Sequence, residues 1–276
     1  MTIDASAGAE SLRTVDLGPK VSILGVGVNA IAFEPAIERM LAAINDRERR
    51  RVHFCTVHMI IEATRDDTLT TRLNAADIVA PDGMPLVWVG RLRGQRMERV
   101  CGPDTMPALL DRGRAIGARH YFYGGAPGVA EELAARMIAR YPGLNVVGTY
   151  CPPFRPLTAD EDAEVVRLIE ESGADCVWVG LGSPKQEHWL AEHRDLLTAP
   201  LLLAVGAAFD FHAGTKRRAP RLMQRTGTEW LFRLASEPRR LLGRYVRTNA
   251  MFVWLLALEA IGSLRRRSFH RSKGGR

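Results

Sequence analysis

The chain has 276 residues, of which 46% are hydrophobic and 25% are charged. This length and composition indicate a globular protein with a substantial buried core. The four cysteines form no CxxC pair, which argues against a zinc site or a disulfide framework and favours a reducing compartment. Residues 1–20 lack the apolar stretch of a secretion signal, and we expect them to form a disordered leader.

Short apolar runs alternate with helix-period segments through residues 21–215. Such alternation is typical of an α/β domain with a largely parallel sheet. Pro35 and Pro184 suit the first helical position, and Thr158 suits a helix cap. We predict strands at 21–26, 52–57, 77–80, 120–123, 145–149, 176–181 and 201–205, and helices at 35–45, 59–74, 105–116, 128–141, 159–172 and 184–193.

The net charge of +7 is unevenly distributed along the chain. From Lys216 onward there are 16 Lys/Arg against 3 Asp/Glu, a net charge of +13, which leaves −6 for residues 1–215. Tryptophan, leucine and phenylalanine interleave with these arginines, as in an amphipathic helix that lies on an anionic membrane. We predict a helical, membrane-associating appendage at 216–264 and a basic disordered tail at 265–276. The apolar run at 250–258 is too short to span a bilayer.

Two glycine-rich segments invite a nucleotide-binding interpretation. The segment 25–30 loosely fits a GxGxxA dinucleotide fingerprint, but the predicted helix begins several residues too late for its amides to face a pyrophosphate. A turn or hairpin is the preferred interpretation there. Gly124-Gly125 lies directly between a predicted strand and a helix, where backbone amides could meet a phosphate. An ordinary strand-to-helix turn explains this second segment equally well.

Several polar side chains follow predicted strands. Period-two alternation would point Phe54, Thr56 and His58 to one side, so that a hydroxyl and an imidazole converge. Taken in isolation, His58 is more often a structural histidine with satisfied hydrogen bonds. Asp82 follows another buried strand in a Pro-Asp-Gly turn, which is also a plain turn sequence. The carboxyl ends of strands in an open α/β sheet are where ligands bind.

Two later segments add polar groups to the same predicted sheet edge. The run 182–187 carries Gln186 and Glu187 just after the strand that ends near Leu181. Asp210 lies among small residues and could accept hydrogen bonds from a ribose, a sugar hydroxyl or a neighbouring cation. Because the Asp-Phe-His run is not the Asp-x-Asp element that holds a divalent metal in many sugar transferases, we predict no obligatory metal and no cofactor. Asp66-Asp67 is interpreted as a solvated helix face.

These segments together resemble the WecG/TagA/CpsF glycosyltransferase family (glycosyltransferase family 26), and the likeness extends over roughly residues 20–247. Its specificity comes from the number and order of the motifs. They are Thr56-Val57-His58, the segments 74–77, 81–83 and 99–104, Phe122-Tyr123-Gly124-Gly125 with 128–131, the segments 141–144, 182–187, 206–211 and 218–220, and Glu229-Trp230-Leu231-Phe232-Arg233-Leu234 with 237–240.

The resemblance implies a Rossmann-like α/β core with a C-terminal helical appendage. It also implies an inverting transfer of a sugar, by default N-acetylmannosamine, from a UDP-sugar to an acceptor linked to undecaprenyl diphosphate. Members of the family build cell-envelope polymers and exopolysaccharides. The implied location is the cytoplasmic face of the inner membrane, bound peripherally to its anionic surface, with a homo-oligomer as one possible state.

The resemblance also implies roles for individual residues. Asp82 matches the general base and Thr56 the neighbouring active-site hydroxyl. The matching substrate-binding positions are His58, Arg99, Gly124, Gly125, Gln186, Glu187 and Asp210, with Arg233, Arg240 and Arg244 supplied by the appendage to a diphosphate. Many members carry Asn where this chain has His58, which leaves the donor sugar open.

Two other functional classes are weighed against this interpretation. One is an NAD-dependent oxidoreductase, which would depend on the weak fingerprint at 25–30. The other is an RNA-binding protein that uses the basic tail. The tail lacks the aromatic stacking platform of single-strand binders, and its apolar residues need an apolar partner, so we predict no nucleic-acid ligand.

Overall fold

The computed structural model describes the backbone of residues 17–236 and 238–273. Side chains at 225, 233, 239–241, 244–245 and 262–273 lie outside the described part. A parallel sheet of six strands forms the centre, in the order β4-β3-β8-β7-β5-β6, and a separate antiparallel hairpin pairs β1 with β2. The strands are β1 Lys20–Ile23, β2 Val26–Asn29, β3 Arg50–Cys55, β4 Ile78–Pro81, β5 Arg119–Gly124, β6 Asn145–Tyr150, β7 Cys176–Gly180 and β8 Leu201–Ala204.

Helices connect and cover the strands, because parallel neighbours require crossover connections. A short 3₁₀ turn is formed by Arg114–Ile116. The described α-helices are α1 Phe33–Asn45, α2 Val57–Ala63, α3 Asp67–Asn74, α4 Met84–Leu92, α5 Gly102–Gly113, α6 Val129–Arg140, α7 Ala159–Ser172, α8 Lys185–His193, α9 Ala208–His212, α10 Arg221–Arg225, α11 Glu229–Ser236 and α12 Pro238–Lys273.

The predicted α/β class with a parallel sheet is confirmed, and several local predictions are corrected. The first predicted strand is a hairpin whose turn holds Leu24 and Gly25 at positive φ, so the 25–30 segment does not open a helix. The predicted helix 59–74 is two helices. Asp66 separates them by accepting hydrogen bonds from the amides of Thr68 and Leu69 and so caps α3. Asp67 is exposed in the first turn of that helix, in agreement with the predicted solvated face.

Pro35 and Pro184 do not occupy the first position of their helices as predicted, although both lie within two residues of it. The predicted helix cap at Thr158 is confirmed. Helix α1 begins at Phe33, before Pro35, and Pro184 precedes α8. Both prolines still lie where a helix needs no amide donor. Thr158 forms a capping box with Glu161: its Oγ1 accepts from the Glu161 amide at 3.2 Å, and Glu161 Oε2 accepts from the Thr158 amide at 2.8 Å.

Alternation along the central strands divides the core between the two faces of the sheet. On β7 and β8, Trp178 and Leu203 pack on one face with α1, α5 and α6, while Val177 and Leu202 pack on the other with α7 and α8. A further cluster joins the hairpin to α2, α3 and α4, and it includes Phe252 of α12 at 4% exposure. The long last helix is therefore anchored to the α/β domain through an apolar contact.

Ion pairs also fasten the helices after residue 216 to the domain. Arg218 donates to both carboxylate oxygens of Asp104, at 2.5 and 3.0 Å, and Arg93 pairs with Glu259 of α12 at 2.7 Å. The backbone of α12 continues to Lys273, whereas the predicted appendage ends at residue 264. Most of the predicted leader lies outside the described residues. No helix in the described ranges has an apolar run long enough for a membrane crossing.

We expect Gly124→Ala to destabilise the protein by at least about 2 kcal/mol, because two effects add. Gly124 has φ of +121°, and a Cβ there would lie 2.7 Å from the carbonyl carbon of Gly180 on the neighbouring strand. Urea unfolding followed by circular dichroism measures the effect. Gly243→Ala in α12, where a Cβ meets no described atom within 4 Å, is the matched control and should be neutral or slightly stabilising.

We expect Asp104→Asn to lose stability in a pH-dependent way. Burial alone would raise the pKa of Asp104, but hydrogen bonds from Arg218 and Cys101 hold it below its ordinary value. A carboxyl with a lowered folded pKa stabilises the fold above its unfolded pKa of about 3.9, and this stabilisation is lost as the pH falls through the folded value.

The free energy of unfolding of the wild type should therefore exceed that of Asp104→Asn by up to about 1 kcal/mol at pH 6. This figure is modest because the Asp104 side chain is 45% exposed and water screens its ion pair with Arg218. The difference should shrink at pH 3. Urea unfolding at pH 6, 4 and 3 measures it, with Asp195→Asn, at an almost fully exposed position, as the control. A difference that stays constant with pH would contradict the assignment.

Candidate active site

One large cleft lies at the carboxyl ends of the parallel strands, with a volume of about 1490 Å³. Loops after β3, β4, β5, β7 and β8 form its floor, and α4, α11 and α12 contribute to its sides. This is the position at which open α/β sheets bind ligands. The predicted site residues that line it are Thr56, His58, Asp82, Arg99, Gly125, Gln186 and Asp210.

Asp82 is held where β4 ends. Its amide donates to the Cys55 carbonyl at 2.9 Å, which ties the turn to the end of the neighbouring strand β3. Gly83 then caps α4, so the carboxylate projects from a short turn between a buried strand and a helix. The Asp82 side chain is 19% exposed. A carboxylate that is mostly removed from water but open to a cleft is suited to accept a proton from a bound hydroxyl.

Thr56 and His58 line the cleft from the start of a helix and not, as the sequence predicted, from the end of a strand. Strand β3 ends at Cys55, and Thr56 caps α2 by accepting from the Met59 amide at 3.3 Å. His58 therefore lies in the first turn of a helix, with Nδ1 3.7 Å from Glu62 Oε1. The predicted period-two alternation through these residues is wrong because the strand stops before them. Both side chains nevertheless line the cleft.

Gln186 is fixed in one orientation on the cleft wall. Its Oε1 accepts from the Gly182 amide at 3.1 Å, and its Nε2 donates to Glu187 Oε1 at 3.0 Å. Glu187 is fully buried behind Gln186 and is not among the cleft-lining residues. Burial raises the pKa of Glu187, although the hydrogen bond from Gln186 opposes this rise. Glu187 therefore holds the orientation of Gln186, and its predicted contact with a substrate stays a prediction.

The glycine that ends β5 and the glycine that follows it have different environments. Gly125 lines the cleft, and its amide donates to the Gly180 carbonyl at 3.0 Å. Gly124 does not line the cleft, and its lack of a side chain permits the close approach of β5 to β7. Gly124 therefore serves the packing of β5 against β7, whereas Gly125 forms part of the cleft surface.

Asp210 lies on α9 beside a cation. Lys216 Nζ is 2.9 Å from Asp210 Oδ2, and the Thr215 hydroxyl donates to Oδ1 at 3.2 Å. The side chain is 25% exposed and lines the cleft. This carboxylate can accept further hydrogen bonds, while Lys216 compensates part of its charge.

Arg99 links Asp82, the predicted general base, to Glu229 of the helical appendage. Its Nε donates to the main-chain carbonyl of Asp82 at 2.7 Å, and its Nη2 lies 3.3 Å from Asp82 Oδ1 and 2.8 Å from Glu229 Oε2. Burial would lower the pKa of Arg99, but the nearby carboxylates of Asp82 and Glu229 outweigh burial and raise it. Arg99 is therefore a permanent cation shared between β4 and α11. Glu229 belongs to one of the motifs of the family resemblance, but no local pattern predicts its contact with Arg99, because the two residues are far apart along the chain.

Arg233, Arg240 and Arg244 fall on α11 and α12, but their side chains lie outside the described part of the structure. Among the side chains that the structure does describe, no three His, Cys, Asp or Glu side chains form a metal-ligating cluster.

The cleft opens through an apolar mouth. Trp88 and Leu92 from α4, Trp230 from α11 and Val253 from α12 line the cleft while being 47%, 87%, 38% and 67% exposed. Soluble surfaces rarely gather large apolar side chains around an opening without a partner to cover them. A ligand with both a polar part and an apolar part fits a cleft that has a charged interior and an apolar rim.

Another part of the cleft lining is aromatic, and no sequence pattern predicts it. Trp189 stacks between Tyr123 and His193, with ring centroids 4.7 and 4.1 Å apart. His193 Nε2 contacts Asp162 at 3.1 Å, and the proline-rich segment 152–158 also lines the cleft. Only the fold brings β5, α7 and α8 together here.

Comparison with known proteins agrees with this geometry. The model of the Glycosyl transferase WecG/TagA/CpsF family matches residues 21–266, which includes the sheet and most of the helical appendage. The chain is also similar to the N-acetylglucosaminyldiphosphoundecaprenol N-acetyl-beta-D-mannosaminyltransferase of Bacillus spizizenii, with 32% identity over 180 residues that cover 65% of this chain and 68% of the relative. The chain therefore belongs to the WecG/TagA/CpsF family of glycosyltransferases.

Proposed function

We propose that this glycosyltransferase moves an N-acetylmannosamine-type sugar from a UDP-sugar to a sugar linked to undecaprenyl diphosphate, with inversion at the anomeric carbon. The observation that supports this most directly is the position of Asp82 in a cleft whose mouth is apolar. The relative from Bacillus spizizenii, named for the same transfer onto an undecaprenol-linked acceptor, supports the choice of sugar and acceptor.

In the proposed reaction the acceptor hydroxyl attacks the anomeric carbon of the donor. A bond forms between the acceptor oxygen and that carbon, the bond from the carbon to the UDP oxygen breaks, and its electron pair leaves with UDP. Asp82 accepts the proton of the acceptor hydroxyl. Thr56, Gln186 and Asp210 supply a hydroxyl, a fixed amide and a carboxylate that can orient the two sugars.

The charge on departing UDP requires stabilisation by cations or amides. Arg99 is engaged by Asp82 and Glu229, which favours a role in holding the base. We assign diphosphate binding instead to Arg233, Arg240 and Arg244, whose position after Lys216 places them in the basic part of the chain. Guanidinium groups bind phosphate oxygens in a bidentate manner.

The acceptor carries a long isoprenoid chain, so the protein must work at a membrane. Exposed apolar side chains on α4 and α12 surround the mouth, and the last part of the chain is strongly basic. We propose peripheral binding to the anionic cytoplasmic face of the inner membrane, with the mouth turned toward the bilayer.

We expect Asp82→Asn to lower kcat by about 10²- to 10⁴-fold, because an amide cannot accept the proton. Binding of UDP, measured by calorimetry, should persist. Mass spectrometry of the products formed from a panel of UDP-sugars and a short-chain lipid diphosphate acceptor measures turnover and identifies the donor. Asp67→Asn, at an exposed position on α3, is the control. Unchanged turnover in a folded Asp82→Asn protein would remove Asp82 from the mechanism.

We expect Leu92→Glu to weaken binding to vesicles that contain anionic lipid, because it places a negative charge at the proposed membrane contact. Sedimentation of the protein with phosphatidylglycerol vesicles, at low and high salt, measures the effect. Leu196→Glu is the matched control, since Leu196 is 54% exposed but precedes β8, at the opposite edge of the sheet. Equal loss of binding in both variants, or no dependence on anionic lipid, would contradict the proposed orientation.

A further inference from the structure

One guanidinium nitrogen is shared by two carboxylates from different parts of the fold. Arg99 Nη2 contacts Asp82 of the α/β domain and Glu229 of α11, and the Glu229 contact is shorter by the distances given above. The three side chains are 18%, 19% and 13% exposed. At this degree of burial their charges are only partly screened, so each carboxylate changes the field at the other.

Arg99 is also fixed independently of Glu229. Its Nε donates to the Asp82 main-chain carbonyl, and its Nη1 donates to the Gln224 carbonyl at 3.3 Å. If Glu229 lost its charge, Arg99 would therefore stay beside Asp82 and direct its full positive charge at that carboxylate. A carboxylate that faces an uncompensated cation binds a proton less tightly and is a weaker base.

Glu229 is in turn held by the other end of the same ion-pair chain. Arg218 Nε lies 4.0 Å from Glu229 Oε1, and the rest of the Arg218 guanidinium binds Asp104 of α5. Charges thus alternate from Asp82 through Arg99, Glu229 and Arg218 to Asp104. The negative member in the middle belongs to the first turn of α11 and reaches Arg99 only when that helix is docked.

We propose that Glu229 is a positioning residue that sets the strength of Asp82 as a base through Arg99, so that proton acceptance depends on the docking of α11. The inference rests on the proposed role of Asp82. Cys55 at the end of β3 and Cys101 before α5 are titratable groups close enough to Asp82 to feel its charge. The titratable side chains that share its cleft include His58 on α2, Asp210 on α9 and Lys216. Burial raises the pKa of both thiols, which keeps them neutral near pH 7.

The experiment compares the titration of Asp82 in the full-length wild type and in Glu229→Gln. Selective ¹³C labelling of aspartate carboxyls reports the pH midpoint at which Asp82 takes up a proton, and the Asp82→Asn spectrum assigns the signal. We expect the midpoint in Glu229→Gln to fall by about one pH unit. The kcat at neutral pH should fall about three- to tenfold with little change in KM for the donor, and the acid limb of the kcat profile should move to lower pH.

Glu259→Gln provides a matched control, because Glu259 also links the appendage to an arginine outside it, Arg93 just after α4, and its described ion pair does not involve Arg99. It should leave the Asp82 midpoint unchanged. Glu229→Asp keeps the charge but withdraws it from Arg99 by one methylene, so the midpoint should fall by less than in Glu229→Gln. If Glu229→Gln fails to fold, this smaller fall is the expected result, and an unmoved midpoint in Glu229→Asp would count against the proposal.

An unmoved Asp82 midpoint in Glu229→Gln, with a loss of kcat equal to that of Glu259→Gln, would overturn the proposal and leave Glu229 as a docking contact. A shifted midpoint in a protein that transfers no sugar would support the coupling and refute the proposed function. The two failures are therefore distinguishable.

Discussion

The shared guanidinium of Arg99 is the constraint on which the site depends. It binds the main chain and side chain of Asp82 and the carboxylate of Glu229, so it fixes the turn after β4 and the first turn of α11 with the same group. Removing one partner of a mostly buried ion pair leaves an uncompensated charge, which costs far more than an exposed pair contributes. The position of the appendage and the electrostatics of the cleft are consequently parts of one arrangement.

Much of the fold follows from local patterns that the sequence displays. Apolar runs of strand length and helix-period segments predicted a parallel sheet, and a parallel sheet brings the carboxyl ends of its strands to one edge. That geometry alone placed Asp82, Gln186 and Asp210 in one cleft. Helix α4 escaped prediction because its first residues follow a Pro-Asp-Gly turn and include Pro85, which the first helical turn tolerates since it needs no amide donor there.

The remaining features depend on contacts between distant segments, which local patterns do not encode. Apolar spacing continues across the break between α2 and α3, and only the hydrogen bonds accepted by Asp66 reveal that the helix ends. Glu187 looked like a ligand contact because it adjoins Gln186, but the rotation of the helix buries it. The pairing of Glu229 with Arg99 and the aromatic stack around Trp189 require the tertiary structure.

The cleft lining has a further consequence for how such an enzyme can diversify. Asp82, Gln186 and Asp210 follow strands but belong to none of them. The proline-rich segment 152–158 likewise lies between β6 and α7. Segment 152–158 belongs to no strand, so substitutions within it leave strand register intact. Recognition of a new sugar can therefore evolve in the connecting segments while the scaffold that folds the protein is inherited unchanged.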